Sequence, residues 1–366
     1  MAGESIQTQK SRAIACIQSG KFPEAKALYA DICQRQPRDG EAWFMLGAIN
    51  GYLGLFEEAI RCGRQAVDLQ PNHAEARYNL GQAYTRVSRY PEAEASYREA
   101  VRLKPDYAEA WDNLGYALQE QGKTEEAAAS YRKALQLRPD FAGTQYLLAA
   151  VGGAQTPPKA PPDYVRGLFD NYADRFEKHL VEDLEYRIPQ LLNSAIRQIV
   201  GDKPGTLDIL DLGCGTGLCA PLFRDLARKL VGIDLAPRMI EKARGKNLYD
   251  ELRVGDIAVP DLKFNALFDL IIAADVFPYV GDLAQSFEAC SRHLKVGGLF
   301  AFSIEAIEGG PSYVLRATNR YAQSSGYVRD LAQRNGFVET VFEEVTVRKN
   351  KGEPVGGYIF VLRRES

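Results

Sequence analysis

Asp211, Gly213, Gly215 and Gly217 are the residues whose types and spacing first point to chemistry. The apolar run Leu207 to Leu212 carries the carboxylate near its end, and the three glycines follow at alternate positions. This pattern predicts a buried parallel strand that runs into a tight turn and the N-terminus of a helix. Only glycine lets such a turn take unusual backbone angles and come close to a ligand. The result is a nucleotide-type site at the carboxyl end of a sheet. Spacing narrows the nucleotide: a dinucleotide fingerprint reads G-x-G-x-x-G, and its third glycine would fall where Leu218 stands. Further acidic residues close or follow later apolar runs, namely Asp234 after Leu230 to Ile233, Asp256 in Leu252 to Ile257, Asp275 after Phe268 to Ala274, and Glu305 after Phe302 to Ile304.

The segment Asp211 to Gly217 resembles motif I of the class I S-adenosylmethionine (SAM) methyltransferases, and four later elements follow in that family's order. The resemblance implies that Asp211, Gly213, Cys214, Gly215 and Gly217 hold the methionine end of the donor. It implies Asp234 at the ribose hydroxyls, Leu235 and Met239 as further donor-binding residues, and Asp256 at the adenine amine with the Ile257 amide on the ring. Ala274 would close strand four on the pocket side, and Leu294 to Phe302 would be the turn into strand five. Phe169 to Phe176 resembles the aromatic-acidic helix that closes over SAM in many small-molecule enzymes. Tyr172 and Phe176 lie four apart, on one helix face, and aromatic faces attract a sulfonium cation.

Methyl transfer from a sulfonium needs the nucleophile held in line, water excluded, and a proton removed where the nucleophile carries one. Asp275 and Glu305 are the candidate general bases, with Tyr279 as a third catalytic candidate. An apolar rim around either carboxylate would raise its pKa toward neutrality. His179, Arg320 and Tyr321 are substrate candidates, the last two in an insertion between strand five and its helix. The chain as a whole is similar to a bacterial group of predicted tetratricopeptide-repeat (TPR) methyltransferases. That likeness rests on F-D-x-Y-A-x-x-F (Phe169 to Phe176), D-V-F-x-Y-V-G-D-L (Asp275 to Leu283), S-x-E (Ser303 to Glu305) and R-Y-A (Arg320 to Ala322). In that group a histidine commonly follows R-Y-A, whereas this chain has Gln323. No N/D-P-P-Y motif follows strand four, since the residues there are Ala274-Asp275-Val276-Phe277-Pro278-Tyr279, which argues against amino-group methylation of bases and amides.

The elements that position these residues divide in two. Pro37, Pro71, Pro105 and Pro139 recur every 34 residues, the TPR period. Trp43 with Leu46-Gly47, Leu80-Gly81 with Tyr84, and Trp111 with Leu114-Gly115 mark the first helices, and small residues with Tyr29, Tyr97 and Tyr131 mark the second. One such helix pair cannot bury its own apolar face, so the pairs must stack. The expected architecture is an all-α TPR solenoid over 1–151, a proline-rich linker over 152–163, and an α/β class I methyltransferase domain over 164–366. In that last domain a Rossmann-like, seven-stranded, mostly parallel sheet closes with the antiparallel pair Phe337 to Val347 and Gly357 to Leu362. Phe44, Tyr78, Asn79, Asn113, Tyr116 and Tyr146 are the expected lining of a peptide groove on the array.

Composition sets the outer limits. The 366 residues are 46% hydrophobic and 25% charged with a net charge of −3, which gives no basic footprint for nucleic acid. Six scattered cysteines with no CxxC pair predict reduced thiols and no zinc framework. A polar start and the lack of a long apolar run predict a cytoplasmic protein that neither enters nor crosses a membrane. The expected function is methyl transfer from SAM, leaving S-adenosylhomocysteine, to a small-molecule oxygen or to a protein or carrier brought by the TPR groove, with no metal. An adaptor with a vestigial SAM site is the rival.

Overall fold

A computed structural model describes residues 4–201, 204–259, 262, 264–350 and 352–365. The chain divides into two units, Met1–Ala154 and Gln155–Ser366.

The regular elements among the first unit's described residues are all helices: α1 (Ile6–Gln18), α2 (Phe22–Arg35), α3 (Gly40–Tyr52), α4 (Phe56–Leu69), α5 (Ala74–Arg86), α6 (Tyr90–Leu103), α7 (Ala108–Glu120), α8 (Thr124–Leu137) and α9 (Ala142–Ala150). The repeat signature has a steric cause. A Cβ on Gly81 would lie 2.6 Å from the Tyr97 ring, and one on Gly115 would lie 2.6 Å from the ring of Tyr131. Each tyrosine is fully buried, so the glycine is the hollow that receives it. In the second repeat the tyrosine position holds Gly63, and Leu80 from the next repeat fills the space, 3.1 Å from where a Cβ would sit. The turns repeat as well: the Trp43 and Trp111 indoles donate to the carbonyls of Pro37 and Pro105 at 2.9 Å, and Gln145 reaches the Pro139 carbonyl at 2.8 Å.

The second unit opens with α10 (Pro162–Tyr172), a short α11 (Phe176–Lys178) that runs into a π-turn at His179–Asp183, and α12 (Ile188–Val200). The aromatic-acidic helix expected over Phe169 to Phe176 is therefore broken at residues 173–175. Strands β1 (Leu207–Leu212), β2 (Ala227–Asp234), β3 (Glu251–Val254), β4 (Phe268–Ala273) and β5 (Leu294–Ile307) are parallel in the order β3-β2-β1-β4-β5. Antiparallel β9 (Glu353–Arg364) pairs with β5, and β8 (Phe337–Asn350) pairs with β9. These seven strands are the expected sheet. An unforeseen hairpin, β6 (Tyr313–Arg316) and β7 (Arg320–Ser324), joins the far end of β5 through Ala306 and Ile307. The insertion anticipated between strand five and its helix takes the form of this hairpin.

Strand periodicity of two sorts the core onto the two faces of the sheet. Leu210, Leu212, Val231, Ile233, Phe300 and Phe302 pack on one face, and Ile209, Leu230, Leu299 and Ala301 on the other. Helices α13 (Ala220–Phe223), α14 (Pro237–Gly245), α15 (Ala284–His293) and α16 (Ser325–Arg334) complete the unit. The direction of crossover reverses between β2 and β4 on either side of β1, which is where open α/β sheets bind ligands.

Candidate active site

The mouth of β1 is built from backbone. Gly213, Gly215 and Gly217 all take positive φ, at 64°, 54° and 83°. A Cβ on Gly213 would meet Val276 at 2.6 Å, and one on Gly215 would face the Phe176 ring at 3.8 Å. Asp234, at the end of β2, fixes this turn: its two carboxylate oxygens accept the Gly215 amide at 2.9 Å and the Ala236 amide at 2.8 Å. Burial raises the Asp234 pKa against the opposing pull of those amides. Asp211 is 1% exposed and accepts the Tyr249 hydroxyl at 2.6 Å. Burial pushes its carboxyl up to about 7, the hydroxyl lowers it, and the Asp234 charge adds to the rise. Tyr249 has no motif to mark it in the sequence. Its ring fills the hollow beside Gly217 and Gly232, 3.0 and 2.9 Å from where their Cβ atoms would be. Cys214 is buried, with its thiol pushed up by burial, and its amide donates to the Ile233 carbonyl at 3.0 Å.

Aromatic residues cover this turn. Tyr172 and Phe176 meet edge to face at 5.4 Å, Phe169 meets Phe176 at 6.0 Å, and Phe169 meets Tyr279 at 5.2 Å. Met239 packs with Ala173, Ala236, Phe169 and Phe176, and Leu235 lies half-buried beside Ala236. The Tyr172 hydroxyl and His179 Nδ1 are hydrogen-bonded, so His179 belongs to the aromatic cover.

Asp256, expected on the adenine side, accepts the Ala258 amide at 2.8 Å and pairs with Lys159 at 3.0 Å. Lys159 stands in the stretch read as a linker. That stretch is bound into the second unit: the Ala160 amide donates to the Tyr279 carbonyl, Gly281 and Asp282 donate to the Pro158 carbonyl, and the Tyr321 hydroxyl donates to the Pro157 carbonyl at 2.8 Å. Tyr321 is fully buried beneath this strap, so the structure places it away from an acceptor. Ile257 and Ala274 are half-buried against the two faces of the core.

At the carboxyl ends of β4 and β5, the structure brings Asp275, Tyr279, Glu305 and Arg320 together. Arg320 donates Nη2 to Asp275 at 2.5 Å, Nε to Glu305 at 2.5 Å and Nη1 to the Tyr279 hydroxyl at 3.2 Å. Asp275 sits at φ 57°, rare for a residue with a Cβ, and its amide donates to Ser303 Oγ at 3.0 Å. Burial raises the Asp275 pKa, Arg320 opposes it, and Glu305 adds to the rise. Glu305 differs from expectation. Burial works to raise its pKa, but Arg320, Arg348 and Arg316 outweigh that and hold it below the usual value. An apolar rim was the premise for using it as a base, and the rim is cationic. Burial raises the Tyr279 pKa, with Arg320 opposing. Gln323, where the resembling group has histidine, is fully buried and donates to the Phe277 and Val280 carbonyls at 3.1 and 2.8 Å. It clamps the turn that carries Tyr279.

Sequence reasoning missed Lys159, Tyr249, Arg316 and Arg348. Arginine within a strand pattern on β6 and β8 was the available signal for the last two. His73 contacts Gln70 Oε1 at 3.1 Å, and His293 contacts the Ala289 carbonyl at 2.8 Å. Among the described residues no cluster of metal-ligand type occurs, the cysteines are free thiols, and no helix is long and apolar enough to cross a membrane.

On the repeat unit, Phe44, Tyr78, Asn79 and Tyr116 are half-buried. Asn113 donates to the Tyr78 hydroxyl at 3.0 Å and to the Glu109 carbonyl, so its amide group is engaged within the array. Tyr146 is 1% exposed and lies in the packed interior, where a peptide cannot reach it.

A doubly wound α/β domain with a glycine-lined turn at its switch point defines a nucleotide-binding enzyme class. Residues 210–302 match the family model described as a methyltransferase domain, and residues 27–141 match that of the cytochrome c-type biogenesis protein H TPR domain. The chain therefore carries a TPR-type domain followed by a class I methyltransferase domain. Similar proteins include a malonyl-[acyl-carrier protein] O-methyltransferase of Acetivibrio thermocellus, 31% identical over 31% of this chain and 41% of that protein. A ubiquinone biosynthesis O-methyltransferase of Nitrobacter winogradskyi is 30% identical over 26% of this chain and 38% of its own length. The chain thus spans less than half the length of these curated relatives. A magnesium protoporphyrin IX methyltransferase of Synechocystis, solved with bound SAH, aligns with a TM-score of 0.44 at 17% identity, covering 56% of this chain and 100% of that one.

Proposed function

We propose that this protein is a SAM-dependent O-methyltransferase whose acceptor is brought to it by the TPR array. The observation that carries the reading is the turn after β1: three glycines with left-handed backbone, tied by the Asp234 carboxylate and covered by Phe176. These residues fit the donor, because the turn leaves room for close backbone approach and aromatic faces stand over it. Asp211, Gly213, Cys214, Gly215 and Gly217 would hold the amino-acid end, Asp234 the ribose, and Asp256 with Ile257 the adenine. When bound, SAM supplies an electrophilic methyl group on a sulfonium. The chain's own residues do the rest. Tyr172, Phe176 and Phe169 exclude water, and Asp275, whose pKa is raised, is the better placed of the two carboxylates to take a proton at Oδ2. Glu305 instead positions Arg320.

The names of both relatives put the methyl on oxygen, and one acts on a carrier protein, which supports an oxygen acceptor delivered by a protein. We propose the unit boundary near residue 154 as the division between recruiting arm and enzyme, with the protein working in the cytoplasm. Calorimetry with S-adenosylhomocysteine should show binding to the wild type and at least tenfold weaker binding to Asp234→Ala; no heat in the wild type would leave only the adaptor. Labelled methyl transfer into lysate should place label on protein or carrier and lose it when the array is deleted. Label on free metabolites that survives the deletion would remove the recruiting role.

A further inference from the structure

Three guanidiniums converge on the Glu305 carboxylate. Besides Arg320, Arg316 donates Nη1 to it at 3.3 Å from β6, and Arg348 donates Nη2 to it at 3.3 Å from β8. Arg316 and Arg320 stand directly opposite each other in the β6–β7 ladder, where like charges repel. Among the described residues, the ion pairs of the three cations go to two carboxylates, Glu305 and Asp275. The cluster is therefore short of one negative charge in a setting where burial makes that costly. Arg348 has a side chain only 10% exposed, and its Nε is buried with no hydrogen-bond partner. A buried charged donor left unpaired marks a place for an acceptor that the chain itself does not supply. Arg316 is 36% exposed, so the cluster opens to solvent on that side. It also adjoins the proposed donor site, through Arg320 to Tyr279, Tyr279 to Phe169 and Phe169 to Phe176.

We propose that Arg316 and Arg348 form the recognition site for a carboxylate carried by the methyl acceptor. The assignment rests on the methyltransferase reading above and names its substrate class. One unmatched positive charge calls for a monoanion, and a guanidinium presents its donors in the plane of a carboxylate. Phosphate near neutral pH carries about −1.5 to −2, more than the deficit. Glu305 keeps the three cations together in the free protein, which accounts for a buried carboxylate with a lowered pKa at an acceptor rim.

The test uses the full chain saturated with S-adenosylhomocysteine, with hexanoate as the probe and methyl hexanoate as its neutral counterpart, read by saturation-transfer NMR titration. Hexanoate should bind at least tenfold more tightly than the ester, and Arg316→Gln and Arg348→Gln should each remove at least tenfold of that affinity. Arg316→Gln alters a partly exposed side chain and keeps the test valid if Arg348→Gln fails to fold by circular dichroism. Equal binding of acid and ester, hexanoate affinity untouched by the variants, or inorganic phosphate binding more tightly than hexanoate would each overturn the assignment. Calorimetry of S-adenosylhomocysteine on the same samples separates the two readings: its failure in the wild type would sink the donor site, while donor binding without carboxylate binding would sink only this inference.

Discussion

Arg320 holds together three groups from two separate stretches of the sequence, Asp275 and Tyr279 after β4 and Glu305 on β5. Its side chain is 11% exposed, and every nitrogen of the guanidinium has a partner in Asp275, Glu305 or Tyr279. Removing one member of a buried ion cluster leaves charge without compensation. Arg320→Gln should therefore destabilise the protein by about 3–5 kcal/mol in denaturant unfolding; a loss under about 1 kcal/mol would show that solvent reaches the cluster. Asp211 makes a pH prediction. Its pKa rises from 3.8 to about 7, so the folded chain holds this proton more tightly than the unfolded one. The stability it contributes is full below about 4 and is lost as pH rises through about 7. The cationic amino-acid end of the proposed donor, held beside it, would favour the ionised form. Affinity for S-adenosylhomocysteine should therefore climb as pH rises toward about 7, by up to roughly tenfold per unit. Asp211→Asn should flatten that slope in calorimetry between pH 5 and 8. A flat wild-type profile would disconnect Asp211 from the donor.

At the scale of elements, glycine does different work in the two halves. In the array it is a hollow on a helix, and the effect of filling it depends on what stands opposite. Ala is favoured over Gly inside a helix by about 0.8–1.0 kcal/mol. Gly51 on α3 has nothing within 4 Å of a Cβ, so Gly51→Ala should raise the melting temperature. At Gly115 the Tyr131 ring lies 2.6 Å from the added carbon, and overpacking of about 1–3 kcal/mol should reverse the sign. Thermal melts of the two variants decide it. In the α/β unit, glycine instead sets the backbone path of the turn after β1, where the donor is proposed to bind. The β6–β7 hairpin is the element the pattern concealed. Tyr313 to Arg316 and Arg320 to Ser324 are too short to show period-two alternation, and their ladder is held by tertiary contacts such as Gln323 on the Phe277–Val280 turn.

For the whole molecule, the boundary between the two units has a measurable consequence. Residues 157–160 hydrogen-bond to Tyr279, Gly281, Asp282, Asp256 and Tyr321. An enzyme fragment that starts at residue 155 should be more stable than one that starts at 164 by at least about 2 kcal/mol, at roughly 0.5–1.5 kcal/mol for each bond lost. Equal melting of the two fragments would make the strap a passive linker. The sequence alone determined the helical and the α/β halves, the 34-residue period, the mostly parallel character of the sheet and the glycine turn, because periodic burial and backbone freedom are local properties that each residue carries with it. It also marked Asp234, Asp256, Asp275 and Glu305 as strand-end carboxylates. Only the tertiary structure decided their charge states and partners. Whether Glu305 stands in an apolar or a cationic rim depends on Arg316, Arg320 and Arg348, which three different strands deliver to one carboxylate. Electrostatic energy depends on distance through space, and distance along the chain says nothing of it until the sheet has formed.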